Sequence, residues 1–144
     1  MHFSFLWSLF ECEALNRRGD VNALTEVARL WADHGLFIEK SFEPQLVYFR
    51  NRYLRDGAPT NRFHHLNLRN GDQTDLVRRV LGNDAVENFE IAAALLIIVY
   101  RFRNNLFHGE KWAYELQGQL ENFNHANAIL MRGIELHRQL PRQE

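Results

Sequence analysis

Apolar residues recur every three to four positions along most of the chain, and the alternation typical of strands is nearly absent. This spacing, with the turn residues between the apolar stretches, predicts five to six helices and no strands. The predicted helices span about residues 4–16, 21–34, 41–54, 72–82, 85–107 and 110–139. We therefore expect an all-α fold, a helical bundle in which the last two helices are the long core helices.

The central predicted helix contains the longest apolar stretch of the chain, "IAAALLIIVY", at residues 91–100. Because this stretch is apolar nearly all round, we expect it to be buried on most sides. Part of its surface is expected to face a second copy of the chain, since helical bundles often pair across a two-fold axis. The stretch is about half of the ~18 residues that a membrane span requires, so no membrane partner is predicted.

The first two predicted helices each have an apolar face. The face of the first includes Phe5 and Leu6, and that of the second includes Leu24 and Leu30. Asp20 precedes the second helix and is expected to cap its N-terminus, because its carboxylate can accept hydrogen bonds from free backbone amides.

Residues 56–71, "DGAPTNRFHHLNLRNG", are predicted to form one long irregular loop. The stretch opens with Asp-Gly and closes with Asn-Gly, and both are turn sequences. Loops of this length in a compact domain are often functional or mobile. This one carries Arg62, His64, His65 and Arg69. Adjacent histidines rarely bind one ion without a third ligand, so we expect solvated histidines here and no metal site.

The composition indicates one ordered domain over residues 1–144, since 46% of the residues are hydrophobic, enough for one core. A formal net charge of −1 means that the whole molecule does not attract nucleic acid strongly. The positive charge comes from 15 arginines and only two lysines. Arginine binds phosphate and carboxylate groups bidentately, which favours a phosphate-binding role. A GC-rich genome explains the same bias without any such role.

A single cysteine, Cys12, excludes an internal disulfide and any cysteine-based zinc site within one chain. It is expected to be a small buried hydrophobe. Residues 1–10 are hydrophobic but lack the basic segment and cleavage site of a signal peptide. We therefore expect a soluble cytoplasmic protein without a cofactor.

The central helix ends in unusually polar chemistry, "YRFRNNLFHGE", at residues 100–110. An arginine followed five positions later by a histidine occurs three times, where chance alone predicts roughly 0.7. The three pairs are Arg29/His34, Arg103/His108 and Arg132/His137. Only Arg103 is followed by a polar amide, Asn104, at the end of a buried helix. Context therefore separates the second pair from the other two.

Helical geometry constrains how Arg103 and His108 can act together. Asn104 and His108 are four residues apart and share a face, whereas Arg103 lies about 140° from His108 around a regular helix. The two side chains converge only if the helix loosens near Gly109 or if they work across a dimer interface.

The stretch "RNNLFHGE" resembles the signature of the HEPN domains, a superfamily of all-α domains found in many prokaryotic toxins and defence proteins. That signature is an arginine, then a polar residue, then a histidine four to six residues after the arginine, at the end of a long helix. Arg103, Asn104 and His108 occupy these positions. The resemblance covers the motif and, more loosely, the long helices beside it.

The resemblance implies a metal-independent endoribonuclease that acts as a homodimer in a toxin–antitoxin or antiviral setting. It also implies an RNA substrate and allows a cognate antitoxin protein as a partner. RNA cleavage without metal needs a group that moves the 2′-hydroxyl proton, and histidine titrates near neutral pH. It also needs donors for the charge on phosphorus, which a guanidinium supplies. The expected product end is a 2′,3′-cyclic phosphate.

These arguments assign a role to each residue of the predicted site. His108 is expected to transfer the proton, Arg103 to bind the phosphate, and Asn104 to orient the imidazole or donate to a phosphate oxygen. The predicted site residues are the catalytic Arg103, Asn104 and His108 and the substrate-binding Arg101, Asn105 and Arg62.

Four alternatives remain open in the sequence. Arg103 and His108 can instead cap the C-terminus of the helix, where cations suit the helix dipole. The chain can also be a non-catalytic module that binds RNA, a nucleotide or a protein partner, or a purely structural oligomerisation domain. Finally, arginines 50–69 with Phe49, Tyr53 and Phe63 can form either a stacking surface for single-stranded RNA or a solvated face over core aromatics.

Overall fold

The computed structural model describes residues 2–82, 86–107 and 116–141, which contain seven helices and one small hairpin. The helices are α1 (Phe3–Ala14), α2 (Val21–Asp33), α3 (Ile38–Tyr53), α4 (Asn61–His64), α5 (Thr74–Leu81), α6 (Asn88–Phe107) and α7 (Leu116–Arg138). The hairpin consists of β1 (Leu54–Arg55) and β2 (Ala58–Pro59). Helices make up 74% and strands 3% of the described residues, which confirms the predicted all-α class. The predicted starts of the last two helices, at residues 85 and 110, lie outside the described residues.

The prediction of no strands is wrong at the start of the 56–71 stretch. β1 and β2 pair antiparallel, with Leu54 opposite Pro59. The turn between them, Asp56 and Gly57, has φ angles of 52° and 80°. Two consecutive positive φ angles are what a type I′ hairpin turn requires, and Asp-Gly is a favoured sequence for it. The one-turn helix α4 follows, so this stretch is not one irregular loop.

Helix α6 lies at the centre of the bundle and packs against α2, α3, α5 and α7. Ile91 is 6% exposed and every residue from Ala92 to Val99 is completely buried, which confirms the predicted burial. The expectation that part of residues 91–100 faces a second copy is wrong for residues 91–99, because helices of the same chain already cover them. For the half-buried Tyr100 it stays a prediction. Among the described helices, none is long and apolar enough to cross a membrane.

The apolar faces of α1 and α2 are narrower than predicted. Phe5 is 58% exposed and Leu30 is 39% exposed, although both were expected to face inward. Cys12 is exposed as well, which contradicts its predicted burial. The reason is helical phase, because residues spaced by three or four positions already form the buried stripe of α1. That stripe consists of Phe3, Leu6, Trp7 and Phe10.

Gly133 allows α7 to approach a buried aromatic pair. Phe10 and Trp31 pack edge-to-face with ring centroids 6.2 Å apart. A Cβ atom at Gly133 would lie 2.9 Å from Phe10 Cε1 and 3.1 Å from Trp31 Cη2. Both rings are fully buried, so they have little room to move.

Overpacking at this position is expected to cost about 1–3 kcal/mol, and the gain in helix propensity offsets roughly 1 kcal/mol of it. Gly133→Ala is therefore expected to lower the free energy of unfolding by up to about 2 kcal/mol. Urea denaturation measures the change. An alanine variant more stable than the wild type would contradict this packing.

His137 connects the end of α7 to the same aromatic pair. Its Nδ1 accepts a hydrogen bond from Trp31 Nε1 at 3.2 Å, so this bond needs an unprotonated Nδ1. Burial lowers the pKa of His137, while Glu13 acts in the opposite direction. Because the folded state disfavours the charged form, the stabilisation is complete above the unfolded pKa of about 6.5 and is lost as the pH falls below it.

We expect the free energy of unfolding to decrease as the pH is lowered from about 7 towards 5. His137→Gln should reduce the slope of this decrease, and His125, whose pKa burial also lowers, accounts for a further part of it. Denaturant titrations at several pH values measure the slope. An identical slope in the variant would show that His137 protonates without cost.

Candidate functional site

Two of the three predicted catalytic residues lie side by side on the last turn of α6. The Arg103 guanidinium donates from Nη1 to Asn104 Oδ1 at 3.1 Å. Both side chains are half-buried. His108, the third, lies outside the described residues. The described part of the site is thus a positively charged group held by an amide at the end of a buried helix.

Arg101 lies on the same end of α6 but points into the protein. It is 4% exposed. Its Nε donates to the backbone carbonyl of Leu66 at 3.1 Å, and Nη2 donates to Asn105 Oδ1 at 3.2 Å. Nη1 lies 3.5 Å from the carboxylate oxygen Oδ2 of Asp72. The guanidinium therefore ties α6 to the segment that follows α4.

Asn105 and Asp72 complete this buried network. Asn105 Nδ2 donates to the carbonyls of Leu66 at 3.1 Å and His65 at 3.4 Å. Asp72 Oδ2 accepts from the backbone amide of Arg69 at 2.8 Å. We call Asp72, Arg101 and Asn105 the loop clamp. In the folded chain, the side chains of Arg101 and Asn105 hold the segment after α4 through the carbonyls of His65 and Leu66. That they also contact substrate stays a prediction.

Arg62, the third predicted substrate-binding residue, is exposed on α4. Thr60, two residues earlier, bonds to the end of α3. Its backbone amide donates to the carbonyl of Tyr53 at 2.8 Å, and its hydroxyl donates to the carbonyl of Arg52 at 3.1 Å. These bonds hold α4, and with it Arg62, beside the last turn of α3.

The interpretation of arginines 50–69 as a stacking surface with Phe49, Tyr53 and Phe63 is wrong, because these rings are 0%, 2% and 6% exposed. They belong to the core, as the alternative predicted. Arg50 is also engaged with the protein, because its Nε donates to the carbonyl of Leu81 at 2.8 Å. It thereby satisfies a free carbonyl at the C-terminus of α5.

The sequence analysis missed a second polar cluster, between α3 and α7. The rings of Tyr48 and His125 stack with centroids 3.8 Å apart and an interplanar angle of 17°. The Tyr48 hydroxyl donates to Asn122 Oδ1 at 2.8 Å. Burial lowers the pKa of His125, so its neutral form is favoured. No local pattern could reveal this contact, since Tyr48 and Asn122 are 74 positions apart.

The described residues contain no cluster of three or more side chains suited to a metal ion. A groove of about 610 Å³ lies beside the start of α3, with Phe37, Glu39, Lys40 and Asn88 among its lining residues. Asn88 begins α6, and Arg103 follows fifteen residues later, about 22 Å along the helix axis. The groove and the predicted catalytic residues are therefore separate features.

The geometry at the end of α6 suits phosphate chemistry. A guanidinium fork can bind two oxygens of a phosphate, and the neighbouring amide fixes its direction. No family model, curated protein or solved structure matches the chain. The functional argument therefore rests on the residues themselves.

Proposed function

We propose that this protein is a metal-independent endoribonuclease of the HEPN type. The observation that carries the proposal is the Arg103–Asn104 pair, which is hydrogen-bonded at 3.1 Å on the last turn of a buried helix. In the sequence, His108 follows Asn104 by four residues. A charged group and an amide half-buried at a helix end, followed closely by a histidine, supply the groups that cleavage of RNA requires.

The proposed reaction is attack by a ribose 2′-oxygen on the adjacent phosphorus. His108 accepts the 2′-hydroxyl proton, the new P–O bond forms, and the bond to the 5′-oxygen breaks. Arg103 binds the non-bridging oxygens, on which negative charge increases in the transition state. Asn104 holds the guanidinium and orients the imidazole. The products are a 2′,3′-cyclic phosphate and a 5′-hydroxyl, whose oxygen takes a proton from solvent.

The metal-free chemistry is tested by incubating the purified protein with a single-stranded RNA in excess EDTA. We expect cleavage to continue, and we expect 2′-deoxy substitution at the cut nucleotide to abolish it because the attacking oxygen is then missing. Mass spectrometry should find the cyclic phosphate end. Cleavage that stops in EDTA, or that survives the 2′-deoxy substitution, would refute the mechanism.

The proposed active form is a homodimer with a composite site. On a regular helix Arg103 and His108 would be about 140° apart, and a second chain is one way to bring two such groups together. Large apolar side chains are exposed at the same end of the bundle, namely Leu106 (42%) on α6 and Leu120 (57%) on α7. They are suited to an interface between copies.

Mixing two inactive variants tests whether the site is shared. In an equal mixture of Arg103→Ala and His108→Ala, half of the dimers contain both chains, and each of these has one intact site of two. The mixture should therefore recover about a quarter of wild-type activity. No recovery after subunit exchange would show that both groups act within one chain.

The proposal extends to a toxin–antitoxin or antiviral setting in the cytoplasm, with an antitoxin protein as regulator; the HEPN resemblance supports it. The alternative is a non-catalytic module of the same family that binds RNA, a nucleotide or a protein partner. The hydrogen bond between Arg103 and its own neighbour Asn104 favours this alternative, because a pair that stabilises the end of α6 needs no catalytic role. RNA binding without any cleavage by the wild-type protein would decide for it.

A further inference from the structure

A second group of polar side chains lies along α3, which packs against both α4 and α7. Tyr48 and Arg52 lie one turn apart on α3, Arg62 lies on α4, and His125 lies on α7. We call these four residues the α3–α4–α7 cluster. All four are at least partly accessible to solvent. The cluster is distinct from the loop clamp, whose members are buried.

Buried partners hold the rings of Tyr48 and His125, two members of the cluster, in place. Asn122, which accepts from the Tyr48 hydroxyl, is only 2% exposed and donates in turn to Gln119 Oε1 at 3.4 Å. The stacked ring of His125 also packs edge-on against the buried Phe49, with centroids 6.1 Å apart. A preorganised group of this kind loses little freedom when a ligand binds.

Positive charge dominates the cluster. The Arg52 guanidinium interacts with the phenol groups of both Tyr48 and Tyr53. Arg62 acts on the same two phenols and, like Arg52, opposes the rise in pKa that burial causes. Glu121 is the carboxylate that faces Tyr48 from α7 and acts in the opposite direction. Two guanidiniums against one carboxylate leave a net charge that suits a phosphodiester.

The aromatic pair adds recognition of a second kind. A neutral imidazole has one hydrogen-bond donor and one acceptor at its edge. The donor can bond to an acceptor of a nucleobase, and the acceptor can bond to an amino or imino group of the base. Aromatic and arginine side chains together typically bind unpaired nucleotides, since bases in a duplex do not expose these edges.

We propose that Tyr48, Arg52, Arg62 and His125 form a subsite for one nucleotide of single-stranded RNA. Arg52 and Arg62 bind the phosphate, and the accessible edges of His125 and Tyr48 contact the base. The choice of RNA as ligand rests on the proposed function, but binding at this subsite does not require cleavage.

The test measures binding of a fluorescein-labelled ten-nucleotide RNA to the full chain carrying His108→Ala, which prevents cleavage during the measurement. Adding Arg62→Ala should weaken binding by about tenfold at low salt. It should also reduce the slope of log Kd against log salt concentration by about one, the value of one phosphate contact. The matched control is Arg132→Ala, which removes the same charge from an exposed position on α7. Glu121→Gln should strengthen binding about threefold, because it removes the opposing carboxylate.

A second measurement covers His125, whose substitution could disturb the stack with Tyr48. The imidazole resonances of His125 in ¹⁵N-resolved spectra should shift when the RNA is added, while those of the exposed His34 should stay unchanged. Equal weakening by Arg62→Ala and Arg132→Ala, or resonances of His125 that do not respond, would overturn the subsite.

The two proposals fail separately. If the wild-type protein does not cleave RNA but Arg62→Ala still weakens binding selectively, the ribonuclease proposal fails and the subsite stands. If the wild type cleaves but Arg62→Ala changes neither the affinity nor the KM, the subsite fails and the ribonuclease proposal stands.

Discussion

Replacing His108 with alanine is expected to lower the rate of RNA cleavage by about 10²–10⁴-fold, the usual contribution of a general acid–base group. In the proposed mechanism the imidazole accepts the proton of the attacking hydroxyl, and alanine cannot. Initial rates on a labelled single-stranded RNA measure the loss. The free energy of unfolding should change little, because the effect is chemical.

The matched control is His34→Ala. His34 also stands five positions after an arginine, but it is exposed at the end of α2, with its Nδ1 2.9 Å from the carbonyl of Leu30. Its removal should leave the cleavage rate within about twofold of the wild type, since an exposed side chain away from the proposed site contributes little. Equal losses in both histidine variants would show that position 108 has no special role.

Replacing Asp72 with alanine is expected to lower the free energy of unfolding by about 3–5 kcal/mol. The carboxylate and its partner Arg101 are 9% and 4% exposed, so the change removes a carboxylate that lies 3.5 Å from a buried guanidinium. The amide of Arg69 also loses its acceptor. Urea denaturation followed by circular dichroism measures the change.

Asp75→Ala is the control for the loop clamp, because it removes the same charge from an exposed position in the first turn of α5. It should cost no more than about 1 kcal/mol, the value of a carboxylate near a helix N-terminus. The double variant Asp72→Ala/Arg101→Ala should be less destabilised than the sum of the single variants, because the two groups interact. Additive effects, or equal costs for the two aspartates, would contradict the clamp.

The helices were predictable wherever one local pattern decided the outcome. Asp20 caps α2 as expected, since its carboxylate accepts from the amide of Ala23 at 2.8 Å. The apolar stretch of α6 required burial on all sides. Phe5 and Cys12 were misplaced because a broad apolar segment does not fix the helical phase. The hairpin after α3 was missed because two-residue strands carry no alternation that can be recognised.

The candidate site was predictable only in its local part. Arg103 and Asn104 were singled out by the motif, but their mutual hydrogen bond was not predicted, since Asn104 was expected to orient the imidazole or donate to a phosphate oxygen. The burial of Arg101 and Asn105 did not follow from the motif, because it depends on Leu66 and Asp72, which pack against α6 from a segment about thirty residues earlier. Contacts between distant segments depend on tertiary packing, which spacing in one helix cannot specify.

The claim that the end of α6 cuts RNA is tested most directly by comparing Arg103→Ala with Arg132→Ala in one assay. Initial cleavage rates of a single RNA are measured in EDTA for both variants and the wild type. The account predicts that Arg103→Ala lowers the rate by about 10²–10³-fold. Arg132→Ala, which removes only an exposed ion pair with Glu135, should stay within about twofold of the wild type. Equal rates in all three proteins, or the same loss in both variants, would contradict it.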